Sequence, residues 1–280
     1  MLHTYIPSPS HGVVHLGPLP LRAYAGCILL GIIAAVVITD RRWVARGGEH
    51  GVVADMAATA VPFGLIGARL YHVITTPDEY LHHPVHALYI WHGGLGIWGG
   101  ISGGALGAWF ALRRQGLSYP AMADAIAPAL PVAQAIGRWG NWFNQELYGR
   151  ATKLPWAVKI DGAHTQSGLP GTFHPTFLYE CLWDLGVALI VVLADRKWHF
   201  TKGRAFALYV AAYCVGRAWI EYLRVDEAKH FFGLRLNDYV SGILFAAAVA
   251  YFVARRKGVA EPTAPETEAA GEGSDVPSEA

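Results

Sequence analysis

Charge is what this chain has least of. Of its 280 residues only 15% are Asp, Glu, Lys or Arg, where a soluble domain carries about a quarter. With 53% hydrophobic residues and a mean hydropathy of +0.29, that shortfall excludes an ordinary water-soluble domain and points to an integral membrane protein. A net charge of +1 gives no reason to expect a nucleic-acid partner. Cysteine is scarce as well. Cys27, Cys181 and Cys214 lie in apolar segments without metal-ligand spacing and read as small packing residues. Tyr24-Ala25-Gly26-Cys27 has a faint look of a lipoprotein processing site, but the apolar run follows Cys27 and no basic region leads in. A cleaved signal peptide needs the reverse order. A dense aspartate cluster, which a metal-dependent CDP-alcohol phosphotransferase would need, is missing. So is an internal repeat, which weakens a transporter built from duplicated halves.

Long apolar runs are plentiful. A spanning helix needs about 20 mostly apolar residues, and seven segments qualify: 21–39, 52–74, 92–112, 121–142, 176–194, 205–223 and 236–254. The expected fold is all-α integral membrane, seven transmembrane helices in one domain over residues 1–257. The connection at about 144–175, rich in Gly and Pro, reads as a small extracytoplasmic cap with short strands. Ten Trp and thirteen Tyr suit rings that anchor helix ends at the interface. Alternate connections carry 12 Lys and Arg on one side against 7 on the other. The positive-inside rule then predicts an N-terminus outside and a C-terminus in the cytoplasm. Residues 258–280 hold Glu, Ala, Pro and Ser but no Lys or Arg, a composition expected to form a disordered cytoplasmic tail.

Against this background the run from Gly137 to Gly149 stands out. Arg138, Asn141, Asn144 and Glu146 close an apolar stretch, and an arginine central in a bilayer helix costs on the order of 3 kcal/mol. Residues 138, 141 and 144 share one helical face. Arg217 and Glu221 sit four apart near the outer end of the sixth span. Tyr24 opens the first span, His92 the third, and Asp124 the fourth from the other side. His174-Pro175 leads into the fifth, with Tyr179-Glu180 a turn later. Some of these groups need do no more than satisfy each other: Glu221 can neutralise Arg217, Asn141 can cap a helix, and His92 can donate to a carbonyl. Two arginines, a histidine and a tyrosine at one depth argue for more. The arginine fork fits phosphate, the natural membrane anion is a phospholipid, and His92 is a candidate proton acceptor. Glycines from Gly93 to Gly107 either admit a lipid or, for most of them, let helices pack closely.

These residues carry a specific resemblance. Gly137-Arg138-x-Gly140-Asn141-x-Phe143-Asn144-x-Glu146-x-x-Gly149 resembles the signature of bacterial prolipoprotein diacylglyceryl transferases, with Trp142 where Phe usually follows the first Asn. His92-Gly93-Gly94-Leu95 resembles that family's His-Gly-Gly segment. His174-Pro175-Thr176-Phe177-Leu178-Tyr179-Glu180 resembles another, with Phe177 in place of the usual Gln. Gly216-Arg217-Ala218-Trp219-Ile220-Glu221-Tyr222-Leu223-Arg224 resembles its late Arg…Glu…Arg helix. The match covers about residues 20 to 254. It implies transfer of the diacylglyceryl group of phosphatidylglycerol to the lipobox cysteine of a preprolipoprotein, forming a thioether and releasing glycerol phosphate. No metal or nucleotide cofactor is implied. His92, Arg138 and Arg217 would be catalytic. Arg138, Tyr24, Asn141, Asn144, Glu146, Gly149 and Glu221 would bind substrate.

Two other classes stay open at this level. Gly100-Ile101-Ser102-Gly103 matches the surroundings of the serine in rhomboid-type intramembrane proteases, but such a serine needs a histidine base on a later span, and spans six and seven contain none. A lipid or ion transporter would need a polar path through the whole membrane, which Asp55, Arg69 and Asp124 keep possible.

Overall fold

The computed structural model describes residues 5–9, 11–16, 19–81, 83–90, 93–225, 230–231 and 234–255. His92 and the expected tail at 258–280 lie outside them. Eight α-helices dominate the described residues: α1 (Ala23–Ala45), α2 (Val52–Thr75), α3 (Ile97–Arg114), α4 (Tyr119–Ile126), α5 (Ala129–Asn144), α6 (Thr176–Trp198), α7 (Arg204–Leu223) and α8 (Leu236–Ala254). Three antiparallel two-stranded hairpins join them: β1 (Val13–Leu16) with β2 (Leu19–Arg22), β3 (Val158–Ile160) with β4 (Gly171–Phe173), and β5 (His230–Phe231) with β6 (Leu234–Arg235). Four helices are long and apolar enough to cross a membrane: α1, α2, α6 and the Asn237–Ala254 part of α8. Large apolar side chains such as Leu29, Ile33, Ile66, Leu189 and Ile243 face outward on them, a surface that suits hydrocarbon rather than water.

Two expected spans differ in detail. The fourth, 121–142, is broken into α4 and α5 at Ala127-Pro128, because proline has no N–H to continue the helical ladder. Pro120 occupies the first turn of α4, where that missing donor costs nothing, and the Ser118 hydroxyl caps it by accepting from the Ala121 N–H. The third, expected from 92, begins at Ile97. Gly93 and Gly94 have φ of +90° and +71°, left-handed values that a right-handed helix does not use.

The glycines of α3 serve packing. A Cβ on Gly99 would sit 2.1 Å from the carbonyl oxygen of Gly67, and one on Gly103 would sit 2.3 Å from that of Phe63. Only bare backbone lets α2 and α3 approach this closely. Ser102 is exposed, and the Gly103 that follows it is part of the α2–α3 contact rather than of a nucleophile's surroundings.

One end of the bundle is tied by ions. Asp195 on α6 accepts from Arg42 at 2.9 Å and from Arg46 at 2.7 Å, both on or just past α1. Asp124 on α4 accepts from the backbone N–H groups of Gly203 and Ala205 at 2.8 and 2.7 Å and so caps the start of α7. Trp43, Val53, Met56, Leu112 and Met122 fill the core between α1, α2, α3 and α4 at this end. The opposite end carries the connection between α5 and α6. There β3 and β4 pair, as the sequence led us to expect, and residue Ile6 bridges to Val158 beside them.

Candidate active site

The site is assembled where α5, α6 and α7 approach the β3–β4 end. Arg138, on the last turns of α5, reaches across to Glu180 in the first turns of α6, with Nη2 2.5 Å from Oε2. Arg217 on α7 places Nη1 3.7 Å from the same oxygen and Nη2 2.6 Å from Oε2 of Glu221, one turn along its own helix. Arg224 extends the chain of charges, 3.9 Å from Glu221, and Asn237 of α8 donates to the other Glu221 oxygen at 3.1 Å. Glu180 and Glu221 side chains are 5% and 2% exposed, Arg138 and Arg217 19% and 15%. Carboxylates this deep persist because guanidinium groups compensate them. Beyond its ion pair with Glu180, Arg138 donates no hydrogen bond among the described residues, which leaves a buried fork with capacity to hold an anion.

A second knot lies just past α5. Gln145 and Leu147 adopt φ of 52° and 56°, so the helix stops and the chain folds back. The Glu146 carboxylate then accepts from Asn141 at 2.8 Å and Asn144 at 3.3 Å. Gln145 is pinned by a reciprocal pair with Asp161, its amide donating to the carboxylate and its oxygen accepting from the backbone N–H. The Tyr24 ring packs on Gly140, where a Cβ would fall 2.6 Å from Cδ2, on the same stretch of α5 that carries Arg138 and Asn141.

Gly149 joins the two. Its N–H donates to the His174 carbonyl at 2.9 Å, and it bridges to Arg224. A Cβ there would meet His174 Cβ at 2.8 Å and the Leu223 carbonyl oxygen at 3.1 Å. The Thr176 hydroxyl donates to the Leu147 carbonyl. These contacts fasten the ends of α5 and α7 to the start of α6 and so fix Arg138, Glu180 and Arg217 against one another.

The predicted site residues thus divide. Arg138, Arg217 and Glu221 come together; Tyr24, Asn141, Asn144, Glu146 and Gly149 form the adjoining wall; His92 is outside the described residues. The glycines after it are held by Arg69, whose guanidinium donates to the carbonyls of His86 (2.6 Å), Ala87 (2.8 Å), Gly93 (2.6 Å) and Gly94 (3.0 Å). Arg69 and His86 also line a cavity of about 180 Å³ with His72, Glu79 and Tyr80. Phe177, where an amide was the usual residue, is buried against Val158 and Ile160 and stacks on Trp142. Sequence reasoning gave no role to Glu180, though its motif was noticed, and missed Asp184 and Asn237 altogether. Asp184 stands one turn beyond Glu180 on a helix otherwise apolar there, and that spacing was the available signal. Among the described residues no group of three or more His, Cys, Asp or Glu could hold a metal ion.

Comparison with known proteins decides the family. The model of the prolipoprotein diacylglyceryl transferase family matches residues 11–254. The chain belongs to this family. It is 60% identical over 279 residues to phosphatidylglycerol–prolipoprotein diacylglyceryl transferase 1 of Streptomyces coelicolor, covering 96% of this chain and 81% of the relative. It is 54% identical to the transferase of that name from Frankia alni, over 96% of this chain and 72% of the relative. Against the one from Rhodococcus jostii it is 51% identical, over 92% and 77%. The family match spans all of α1 to α8, so the arginine cluster, the asparagine knot and the Arg69 loop all lie inside the family's extent.

Proposed function

We propose that the protein transfers the diacylglyceryl group of phosphatidylglycerol to the lipobox cysteine of preprolipoproteins, forming a thioether and releasing glycerol phosphate. The observation that carries this reading is the convergence of Arg138 and Arg217 from two helices on one buried carboxylate, in a chain of this family. The arginines hold the lipid phosphate and stabilise the charge that develops as the carbon–oxygen bond breaks. A free thiol with pKa about 8.5 attacks as thiolate, and His92 accepts its proton directly or through water. Tyr24, Asn141, Asn144 and Glu146 orient the headgroup hydroxyls. Gly149 keeps the site's floor closed, and Glu221 aims Arg217.

The same reading sets the chain in the bilayer as seven spans, α4 and α5 together making the fourth. The N-terminus and the β3–β4 cap lie outside, and the C-terminus lies in the cytoplasm with residues 258–280 as a solvated tail. The Lys and Arg asymmetry between the two ends supports this orientation. A transporter would need polar groups free to line a through path. Asp124 is instead spent on capping α7 and Arg69 on loop carbonyls.

The test is incubation of the purified protein in detergent with phosphatidylglycerol and a lipobox peptide, followed by mass measurement. A diacylglyceryl gain on the peptide that Arg138→Ala abolishes is the expected result. No gain from folded protein, with lipid exchange between vesicles in its place, would overturn the transferase in favour of transport.

A further inference from the structure

The end of the bundle away from the arginine clamp carries arginines of two kinds. Arg42 and Arg46 pair with Asp195 at 2.9 and 2.7 Å. Arg113 and Arg114, in the last turn of α3, are exposed, and among the described residues neither side chain makes an ion pair or a hydrogen bond. Each lies instead over an aromatic ring one turn back on its own helix. Arg113 Cζ stands 5.2 Å from the Trp109 ring centroid, and Arg114 Cζ 5.2 Å from that of Phe110. A ring face attracts the guanidinium charge but leaves its N–H groups available to an anion.

Beside Arg113 lies a cavity of about 280 Å³, lined by Trp109, Leu112, Arg113, Gly116, Leu117 and Tyr119. Its floor is fixed by the turn that ends α3. Gly116 takes φ of +68°, its N–H donates to the Arg113 carbonyl at 3.2 Å, and the Leu117 N–H donates to the Leu112 carbonyl at 3.0 Å. A glycine just past a helix permits this closure. It also occupies two carbonyls at the helix end, where bare oxygens would oppose an anion. Leu117 packs against the buried cluster that holds Leu112. Arg113 is the one charged residue in the lining, and Trp109 and Tyr119, 42% and 39% exposed, supply apolar walls. Leu106, a turn before both Trp109 and Phe110, extends the exposed apolar surface along α3. A hydrocarbon chain would run along that surface, and a water-soluble anion has no use for it.

We propose that this cavity binds one anionic phospholipid that is held without reacting, its phosphate on Arg113, with the Arg114 charge beside it, and one acyl chain along Trp109 and Leu106. The lipid belongs to the leaflet at the Asp195 end, the cytoplasmic one in the orientation proposed above, where anionic headgroups meet basic residues. The site stands at the opposite end from Arg138 and Arg217, so the inference does not need the transferase reading. A lipid held there ties the α3–α4 turn to the bilayer and stabilises the folded chain by mass action.

The probe is dioleoyl phosphatidylserine, anionic but without the donor's glycerol headgroup. It is titrated into purified protein in detergent, with bound lipid counted by native mass spectrometry and the unfolding temperature read in parallel. The wild type should bind it and unfold at a temperature that rises with its concentration. Arg113→Gln should raise Kd by at least about tenfold, and Trp109→Ala should weaken binding while leaving the charge. Arg138→Ala, which disables the clamp, should retain the binding. Unchanged affinity in Arg113→Gln overturns the proposal. Loss in Arg138→Ala does so too, since the lipid would then sit in the clamp. Equal binding of dioleoyl phosphatidylcholine would reduce the cavity to a greasy surface, and equal stabilisation by inorganic phosphate would make it a site for soluble anions; either result overturns the lipid site. Should Arg113→Gln fail to fold, Trp109→Ala decides, and wild-type affinity in that variant sinks the proposal.

Discussion

Glu180 and Arg138 meet at 2.5 Å across the α5–α6 contact, and the same Glu180 oxygen stands 3.7 Å from Arg217. If the two arginines hold the lipid phosphate as proposed, a carboxylate orients them before any lipid arrives. Glu180→Gln should keep the side-chain shape while releasing both guanidinium groups from a fixed charge. We expect kcat for diacylglyceryl transfer to fall by at least tenfold, with KM for phosphatidylglycerol unchanged or lower, because the arginines still attract phosphate but no longer hold it in one geometry. Steady-state kinetics with a lipobox peptide checks this. A rise in KM at unchanged kcat would mean that Glu180 only aids binding.

Gly149→Ala tests the junction under the site. The added Cβ would press on His174 Cβ at 2.8 Å and on the Leu223 carbonyl at 3.1 Å, and neither neighbour is the free end of a flexible chain. Overpacking of this kind costs about 1–3 kcal/mol. The expected outcome is a lower unfolding temperature in detergent together with lost transfer, since the strands that move also carry the ends of α5 and α7. Full activity with an unchanged unfolding temperature would show that the junction has slack.

Much of this was legible in the sequence and some was not, for reasons that separate cleanly. Hydropathy alone marked seven segments, and each of the eight helices overlaps one of them, α4 and α5 sharing the fourth, since a 20-residue apolar run has few other uses. Polar residues at the end of such a run were conspicuous, which brought out Arg138, Asn141, Arg217 and Glu221. Pairing across helices left no mark in the sequence. Nothing in the spacing of 138, 180 and 217 says that one carboxylate serves two arginines; that follows from how α5, α6 and α7 pack. The break at Pro128 was visible as a residue but hidden by the apolar run on both sides of it. Arg69 and Asp124 read as polar groups on a path, and packing shows their donors and acceptors spent on backbone.

Asp195 offers a control for function as against stability. It accepts from Arg42 and Arg46 at the end of the bundle away from the arginine clamp. Asp195→Asn should leave two partly buried guanidinium groups short of a counter-charge and cost on the order of 1–3 kcal/mol. Thermal unfolding in detergent should show the loss, while kcat per folded molecule stays within about twofold of wild type, as for distant independent sites. A large drop in kcat at full folding would mean that the two ends of the bundle are coupled.

Arg69 is the strongest test of whether the loop after α2 belongs to the catalytic apparatus. Its guanidinium gathers four carbonyls, from His86 and Ala87 on one side of the loop and from Gly93 and Gly94 on the other. A lysine keeps the charge but has no planar fork, so it cannot satisfy carbonyls in four directions. Arg69→Lys is therefore expected to behave almost like Arg69→Ala: transfer falls by at least tenfold, and protease nicks the 76–96 segment faster at unchanged global unfolding temperature. If His92 accepts the thiol proton, the defect falls on kcat while lipid Kd stays near wild type, because the phosphate clamp is on other helices. Kinetics, lipid titration and limited proteolysis on the same two variants read these effects separately. A loop that loosens while transfer continues at the wild-type rate would remove the His-Gly-Gly segment from the chemistry and leave Arg69 as a fastener of α2 to α3.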